Sequence, residues 1–416
     1  MITYELALYT IGLCAIPKLF YERIRYGKYK NFFQKRTGIA FKGIERGSKP
    51  LIWIHTVSVG ETRAIAPLAK KLYDSPLKPD ILITNITDTG HEEAKRSLPF
   101  AFCHRLMPLD FSWIIRPIVR KLRPDIVILC ETDFWFNFLD ESKKNGAKIF
   151  LTNGKMSEKS FNRFKLFPKF SRRLLSFFDE AYVQSEEYAQ RFEELGLPKE
   201  RITVAGNIKL DTVVPKEDPE FLKDFIGSAP LLVAGSTHRG EEEIILKTYK
   251  KLKQDHPQLK LVIVPRHPER FDDVAALIQS NGLSMMRYSS NQDPSAQVCL
   301  VDKMGLLNFC YAKAKIAIVC GSFVPGIGGH NIFEPAYYKK PLLFGPYMHN
   351  QNDFVALLAS KKAGIQTSSD QLIDEVDRLL KSPQECAERG ENAFSILHNS
   401  QGATQKTYES LISHCS

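Results

Sequence analysis

The chain has 416 residues, 44% of them hydrophobic and 25% charged, with a net charge of +10. That length exceeds one ordinary core and favours two domains, and the composition excludes a disordered, collagenous or disulfide-stapled chain. The eight cysteines show no paired spacing, and Cys130 and Cys320 lie in apolar runs, which reads as reduced core thiols.

The basic excess is local. Residues 1–36 hold seven Lys/Arg and two Glu, and residues 155–173 hold seven Lys/Arg and one Glu, so these segments carry +5 and +6 and the remainder −1. Such patches attract phosphates of nucleic acid or anionic lipid. The first follows an apolar stretch, Ile2 to Ile16, closed by Pro17. It is short for a spanning helix, and its charges follow the apolar segment, unlike those of a signal peptide. Residues 1–36 therefore read as an uncleaved anchor with the body on the cytoplasmic side. The alternative is an amphipathic helix packed on the protein's own surface.

From residue 50 one grammar repeats: a short β-branched run, a polar or Gly-bearing loop, then a helical pattern. The predicted strands of the first half are Leu51–Thr56, Asp80–Asn85, Asp125–Cys130, Lys148–Thr152 and Glu180–Gln184. Those of the second are Leu231–Ala234, Lys260–Val264, Val298–Val301, Ile316–Cys320 and Pro341–Phe344. Alternating strands and helices imply an α/β fold with two Rossmann-like, doubly wound domains. The expected boundaries are 37–210 for the first, 211–228 for a linker, 229–396 for the second, and 397–416 for a C-terminal helix packing back on the first.

Ligands of such sheets bind beyond the carboxyl ends of the strands. After the first predicted strand stand Ser58, Gly60 and Glu61. Ser58-x-x-Glu61 is a capping box, with the glutamate expected to reach the Ser58 backbone N–H; a carboxylate there can also face a cleft. Glu131 directly follows a buried run, with Asp133, Trp135 and Asn137 beside it. Lys209 lies in GNIKLD near the linker, as a solvated lysine or a cleft residue. The second half offers Ser236 and His238 in GSTHRGEE, Arg266 held between Pro265 and His267-Pro268, and the turn at Met304-Gly305. Two such rims across a linker would form a cleft.

Between these elements the second patch, KMSEKSFNRFKLFPKFSRR, sets Phe161, Phe164, Phe167 and Phe170 three residues apart. A bilayer surface, an ordinary core face or single-stranded nucleic acid would each suit that pattern; with an anchor nearby, the bilayer is preferred. Pro168 argues against one unbroken helix.

The stretch Gly321–Pro335, GSFVPGIGGHNIFEP, is the most informative. Its four glycines, Gly328 and Gly329 among them, follow an apolar run and precede Asn331, Ile332, Phe333 and Glu334. Glycines between strand and helix let a phosphate approach the backbone, and Glu334 can accept from sugar hydroxyls; a plain tight turn would read the same way. His238, His267 and His330 lack metal-site spacing, so no metal is expected. No Walker loop, nucleophile elbow or G-x-G-x-x-G fingerprint occurs.

In this order, WIHTVSVGE, NGKMSEKS, VAGNIKLD, AGSTHRGEE, VPRHPERF and GGHNIFEPA resemble the 3-deoxy-D-manno-octulosonic acid (Kdo) transferases over nearly the whole chain. The resemblance implies a GT-B glycosyltransferase of the bacterial inner membrane that moves Kdo from CMP-Kdo to lipid A precursor. It needs no cofactor and binds no nucleic acid, and its body lies on the cytoplasmic face, against the anionic membrane surface. It implies Glu61 as general base, supporting roles for Glu131 and Lys209, and CMP contacts from Pro265, Arg266, Met304, Gly305, Leu306 and Asn331 through Glu334. Ser58, Gly60, Ser236, His267, Gly328 and Gly329 would line the cleft. The chain departs from the family pattern at Leu306, where an acid is usual, at Asp133 and Phe136, where Glu and Pro are, and at Lys155, where Arg is. A relative acting on another nucleotide sugar, including an epimerase, and a non-catalytic nucleotide-binding protein are the rival readings.

Overall fold

The computed structural model describes residues 4–10, 12, 14, 17, 21, 35–211, 221–290, 293–349 and 351–414. Contacts divide the chain into one unit of residues 1–212 with 400–416 and another of residues 213–399.

The first unit is built on seven strands: β1 (Leu51–Thr56), β2 (Asp80–Asn85), β3 (Cys103–Leu106), β4 (Ile126–Cys130), β5 (Lys148–Gly154), β6 (Glu180–Val183) and β7 (Ile202–Val204). They run parallel in the order β3-β2-β1-β4-β5-β6-β7. Every residue of β1 and β4 is buried, as expected of central parallel strands covered on both faces. The chain winds outward from β1 to β3, then crosses to β4 on the other side of β1. The β1/β4 boundary is thus the point where winding reverses, the place at which open sheets of this kind bind ligands.

The second unit repeats the plan with β8 (Leu231–Thr237), β9 (Lys260–Pro265), β10 (Met285–Arg287), β11 (Val298–Leu300), β12 (Ile316–Val319), β13 (Leu342–Phe344) and β14 (Gly364–Gln366). Its order is β10-β11-β9-β8-β12-β13-β14, again all parallel. Winding reverses between β8 and β12. All ten predicted strands are present within a few residues. The four that sequence did not reveal, β3, β7, β10 and β14, are the four sheet edges.

The start of the second unit differs from the expected one. Helix Phe221–Ile226 buries Leu222 and Phe225 completely within the second unit, so it is no linker; residues 212–220 of that segment lie outside the described residues. At the other end, helix Ala403–Ser413 inserts Ala403 and Leu411 into the core containing Ile65 and Leu68 of the first unit. Asp211 caps its start, accepting from the N–H of Gly402 at 2.7 Å and of Thr404 at 2.5 Å.

Residues 4–10 are helical and dock on the first unit. Tyr4 donates its hydroxyl to Asp110 Oδ2 at 2.8 Å, and Glu5 Oε1 accepts from Ser112 N at 2.9 Å. The same Asp110 caps helix Phe136–Lys144 through the N–H groups of Asn137 and Phe138. Burial pushes the Asp110 carboxyl up to about 7. Leu6 stays 60% exposed. Among the described residues no helix is long and apolar enough to cross a membrane, and the flank at 22–34 lies outside them.

Pro168 does divide the second patch, into helices Glu158–Lys165 and Pro168–Leu175. Phe161, Phe164 and Phe170 pack partly on the core, whereas Leu166 and Phe167 are 73% and 65% exposed. Phe170 also stacks 5.9 Å from Tyr4, so the helix at 4–10 touches the second patch within the first unit.

Candidate active site

Residues from the two reversal points form two clusters, one in each unit. In the first, β1 ends at Thr56 and helix Val59–Asp74 begins after its N-cap, Ser58, whose Oγ accepts from Glu61 N at 3.4 Å. The Glu61 carboxylate turns back, but to the N–H of Val57 at 2.8 Å rather than that of Ser58; its other oxygen accepts from Ser58 Oγ at 3.1 Å. The shift by one residue ties the first turn of the helix to the residue before its N-cap. Only 8% of Glu61 is exposed. Burial, then the negative charge of Glu131, raise its pKa above the ordinary value. A Cβ on Gly60 would lie 3.9 Å from Ser58 Oγ, an ordinary contact.

Glu131 follows β4 directly, with φ at +64°. This left-handed turn is costly for a residue with a Cβ and survives where its surroundings impose it. Glu131 N donates to Thr152 O at 2.9 Å, and its carboxylate lies between two ammonium groups: Lys209 Nζ is 2.5 Å from Oε1 and Lys155 Nζ 2.5 Å from Oε2. Burial opposes the Glu131 charge, yet Lys209 and Lys155 outweigh it and lower the pKa. For Lys209 burial again opposes the charge, and Glu131 overcomes it to raise the pKa. Asn153, also at positive φ, accepts from Ile208 N at 3.1 Å and so fixes the segment bearing Lys209.

Sequence reasoning singled out Asp133 and Trp135 but not the residue that unites them. His55, fully buried in β1, meets Asp133 Oδ2 at 3.1 Å and Thr84 Oγ1 at 3.0 Å. Trp135 Nε1 donates to the same Asp133 oxygen at 2.7 Å. A histidine inside an apolar strand was the available signal.

In the second unit, Arg266 and His267 follow β9, and Pro265 is its last, buried residue. Arg266 N donates to Thr237 O at 3.1 Å, which ties it to the end of β8. Ser236 lies inside β8 at an irregularity with φ +58°. Gly235 before it admits no side chain, because Tyr311 Oη would lie 2.0 Å from its Cβ. Met304 is half exposed, Gly305 has φ +92°, and Leu306 caps helix Leu307–Lys313. Asn331 Oδ1 accepts from Phe333 N at 3.0 Å at the entry to the five-residue helix Phe333–Tyr337. Ile332 and Phe333 are buried, and Phe333 packs on Phe354, so these two can offer a ligand only backbone; Glu334 is partly exposed. Gly328 and Gly329 have φ of +93° and +84°.

The buried residue that organises this cluster, Glu241, was not singled out from sequence. Its carboxylate accepts four backbone N–H bonds: from His238 at 2.9 Å, Gly321 at 2.7 Å, Ser322 at 2.9 Å and Phe323 at 2.9 Å. One fully buried side chain thus joins the loops after β8 and β12 across the reversal point.

Residues 29–212 match the family described as 3-deoxy-D-manno-octulosonic-acid transferase (kdotransferase). A 3-deoxy-D-manno-octulosonic acid transferase of Chlamydia muridarum is 34% identical over 98% of this chain and 96% of its own length. The chain belongs to the Kdo transferase family. A member from Haemophilus influenzae is 32% identical over 86% of each chain. The Kdo transferase fold also resembles UDP-GlcNAc 2-epimerase from Neisseria meningitidis, at a TM-score of 0.60 over 87% of this chain and all of that one, with 15% identity. That likeness concerns the fold, the two-domain α/β class of GT-B glycosyltransferases.

Proposed function

We propose that the protein is an inverting transferase moving Kdo from CMP-Kdo to a hydroxyl of lipid A precursor at the cytoplasmic face of the inner membrane. The observation that carries this reading is the arrangement of two buried carboxyls at the ends of β1 and β4. Glu61 is held by the N–H of Val57 at 2.8 Å, and Glu131 lies 2.5 Å from both Lys209 and Lys155, so that burial and Glu131 raise the pKa of Glu61 while the two ammonium groups lower that of Glu131. Two carboxyls whose environments pull them apart are suited to different tasks. A carboxylate with raised proton affinity is the better base, and one locked between ammonium groups serves as a fixed charge.

In the proposed reaction the acceptor hydroxyl gives its proton to Glu61. Its oxygen attacks the anomeric carbon, and the C–O bond to the phosphate breaks with its electrons leaving on CMP. Glu131 stays ionised throughout and keeps Glu61 basic, while Lys155 and Lys209 balance its charge. On the donor side, Arg266 would grip the phosphate and Glu334 the ribose, with backbone contacts from Asn331 to Phe333 and from the Met304–Leu306 turn. The exposed Leu6, Leu166 and Phe167, beside the basic patch at 155–173, suit an anionic membrane surface.

Purified protein given CMP-Kdo and lipid A precursor should release CMP only when both are present, with Kdo appearing on the lipid. CMP release without acceptor, or none with both, contradicts the proposal.

A further inference from the structure

Spacing along the chain gave no reason to group the histidines of the second unit, yet two of them touch. His238, on the loop after β8, and His330, on the loop after β12, bring Nε2 to Nε2 at 2.7 Å. Their planes differ by 9° with centroids 5.0 Å apart, so nitrogen tips meet rather than ring faces. Nitrogens this close share a proton, one ring donating and the other accepting. His267, after β9, stands edge-on to His238 at 5.2 Å.

The contact is built by the fold. Gly321 makes room for the His330 ring, since a Cβ there would lie 2.6 Å from its Cδ2. Gln351 Nε2 donates to His330 O at 2.7 Å. Glu241 holds the backbone of His238 and of Gly321 at once.

We infer that His238 and His330 form a single anion receptor for the nucleotide phosphate, taking one proton from solvent as the anion binds. The inference deepens the nucleotide-sugar reading of this unit and rests on it. Without the added proton, the pair turns one Nδ1–H donor and one bare Nδ1 outward. With it, the Nε2–H···Nε2 bond persists and both Nδ1 atoms become donors on a cation. No covalent bond to carbon or phosphorus is involved.

The surroundings suit such a device. His238 faces His267, Arg270 and Arg266, and His330 faces His238, Arg266 and His267. Glu242 is engaged by Arg270 at 2.6 Å, Glu269 stands 3.9 Å from His267, and Glu241 is taken up by backbone. Burial, then the neighbouring imidazoles and the guanidinium groups of Arg266 and, for His238, Arg270, hold each ring down to about 4. The free pair is therefore uncharged near neutrality, and an anion offsets the charges that keep it so.

Histidine-selective 15N NMR of the full chain, with and without CMP at about pH 6.5, reads each ring nitrogen directly. Saturating CMP should put protons on both Nδ1 atoms. His330→Gln and His238→Gln should each weaken CMP by about tenfold there, and by less than about threefold near pH 8.5, where the proton is harder to hold. CMP binding to the wild type with unchanged ring nitrogens, or equal weakening at both pH values, overturns this inference but leaves the nucleotide site standing. Absence of CMP binding by the wild type overturns both.

Discussion

The ammonium of Lys209 lies 2.5 Å from Glu131 Oε1, and each group keeps the other charged against burial. Breaking a buried pair is costly, about 3–5 kcal/mol when the remaining charge has no partner. Lys155, on the other oxygen, and the 37% exposure of the Lys209 side chain should both reduce that cost. Lys209→Met is therefore expected to fold with a lowered melting temperature and to lose at least about a hundredfold in transfer rate. Lys155→Arg, which places a guanidinium where the resemblance leads one to expect it, should stay within about threefold of wild type. Thermal melts and initial rates measure both. The pair's contribution to stability is full between the ordinary values of 4.5 and 10.5; it is lost as pH falls through the lowered folded value of Glu131 or rises through the raised folded value of Lys209.

The pH profile of transfer should carry the mark of Glu61. It acts only when deprotonated, and its folded pKa lies above 4.5, so kcat/KM should fall as pH drops through that raised value. Glu131→Gln removes a negative charge that raises the Glu61 pKa and leaves Lys209, which lowers it. The acidic limb of that variant should move to lower pH, beneath a reduced plateau. A limb that stays put would mean another group is titrating.

Donor affinity should depend on Arg266 and Glu334. Charge-assisted hydrogen bonds contribute roughly 1.5–3 kcal/mol each, so Arg266→Ala and Glu334→Ala should weaken CMP about ten- to a hundredfold in calorimetric titration. Ile332→Val should change affinity little, because that side chain is buried and offers the ligand only its backbone.

Membrane association should depend on Leu6 and Phe167. Both are mostly exposed, so Leu6→Glu with Phe167→Glu should leave the fold intact while reducing co-sedimentation with anionic vesicles. High salt should weaken it further by screening the basic patch. Full binding by the double variant at both salt levels would place the contact elsewhere.

What was legible in the sequence follows from burial. Central strands such as Ile126–Cys130 are covered on both faces and read as continuous apolar runs. Edge strands are not: Met285–Arg287 and Ile202–Val204 are three residues long and largely half-buried, too brief to leave a period. The loops after the strands also announced themselves, because Glu61, Glu131 and Arg266 are ionisable groups at the ends of apolar runs. Contacts between residues far apart in the chain did not. His238 and His330 are 92 residues apart and meet only because β8 and β12 are neighbours in the sheet. Glu241 looked like one acid among three at a helix start, and only the fold shows the four N–H groups it holds.

The account turns on Glu61 as the base, and Glu61→Gln tests it most directly. The amide oxygen can keep the bond from Val57 N, and the amide N–H can donate to Ser58 Oγ, so the corner between β1 and its helix should survive. General-base catalysis is typically worth about 10² to 10⁴ in rate. Initial rates of Kdo transfer by the purified variant should fall by at least about a hundredfold, with CMP affinity and melting temperature close to wild type. A turnover within about threefold of wild type in that well-folded variant would contradict the account, leaving Glu61 a helix cap and no more.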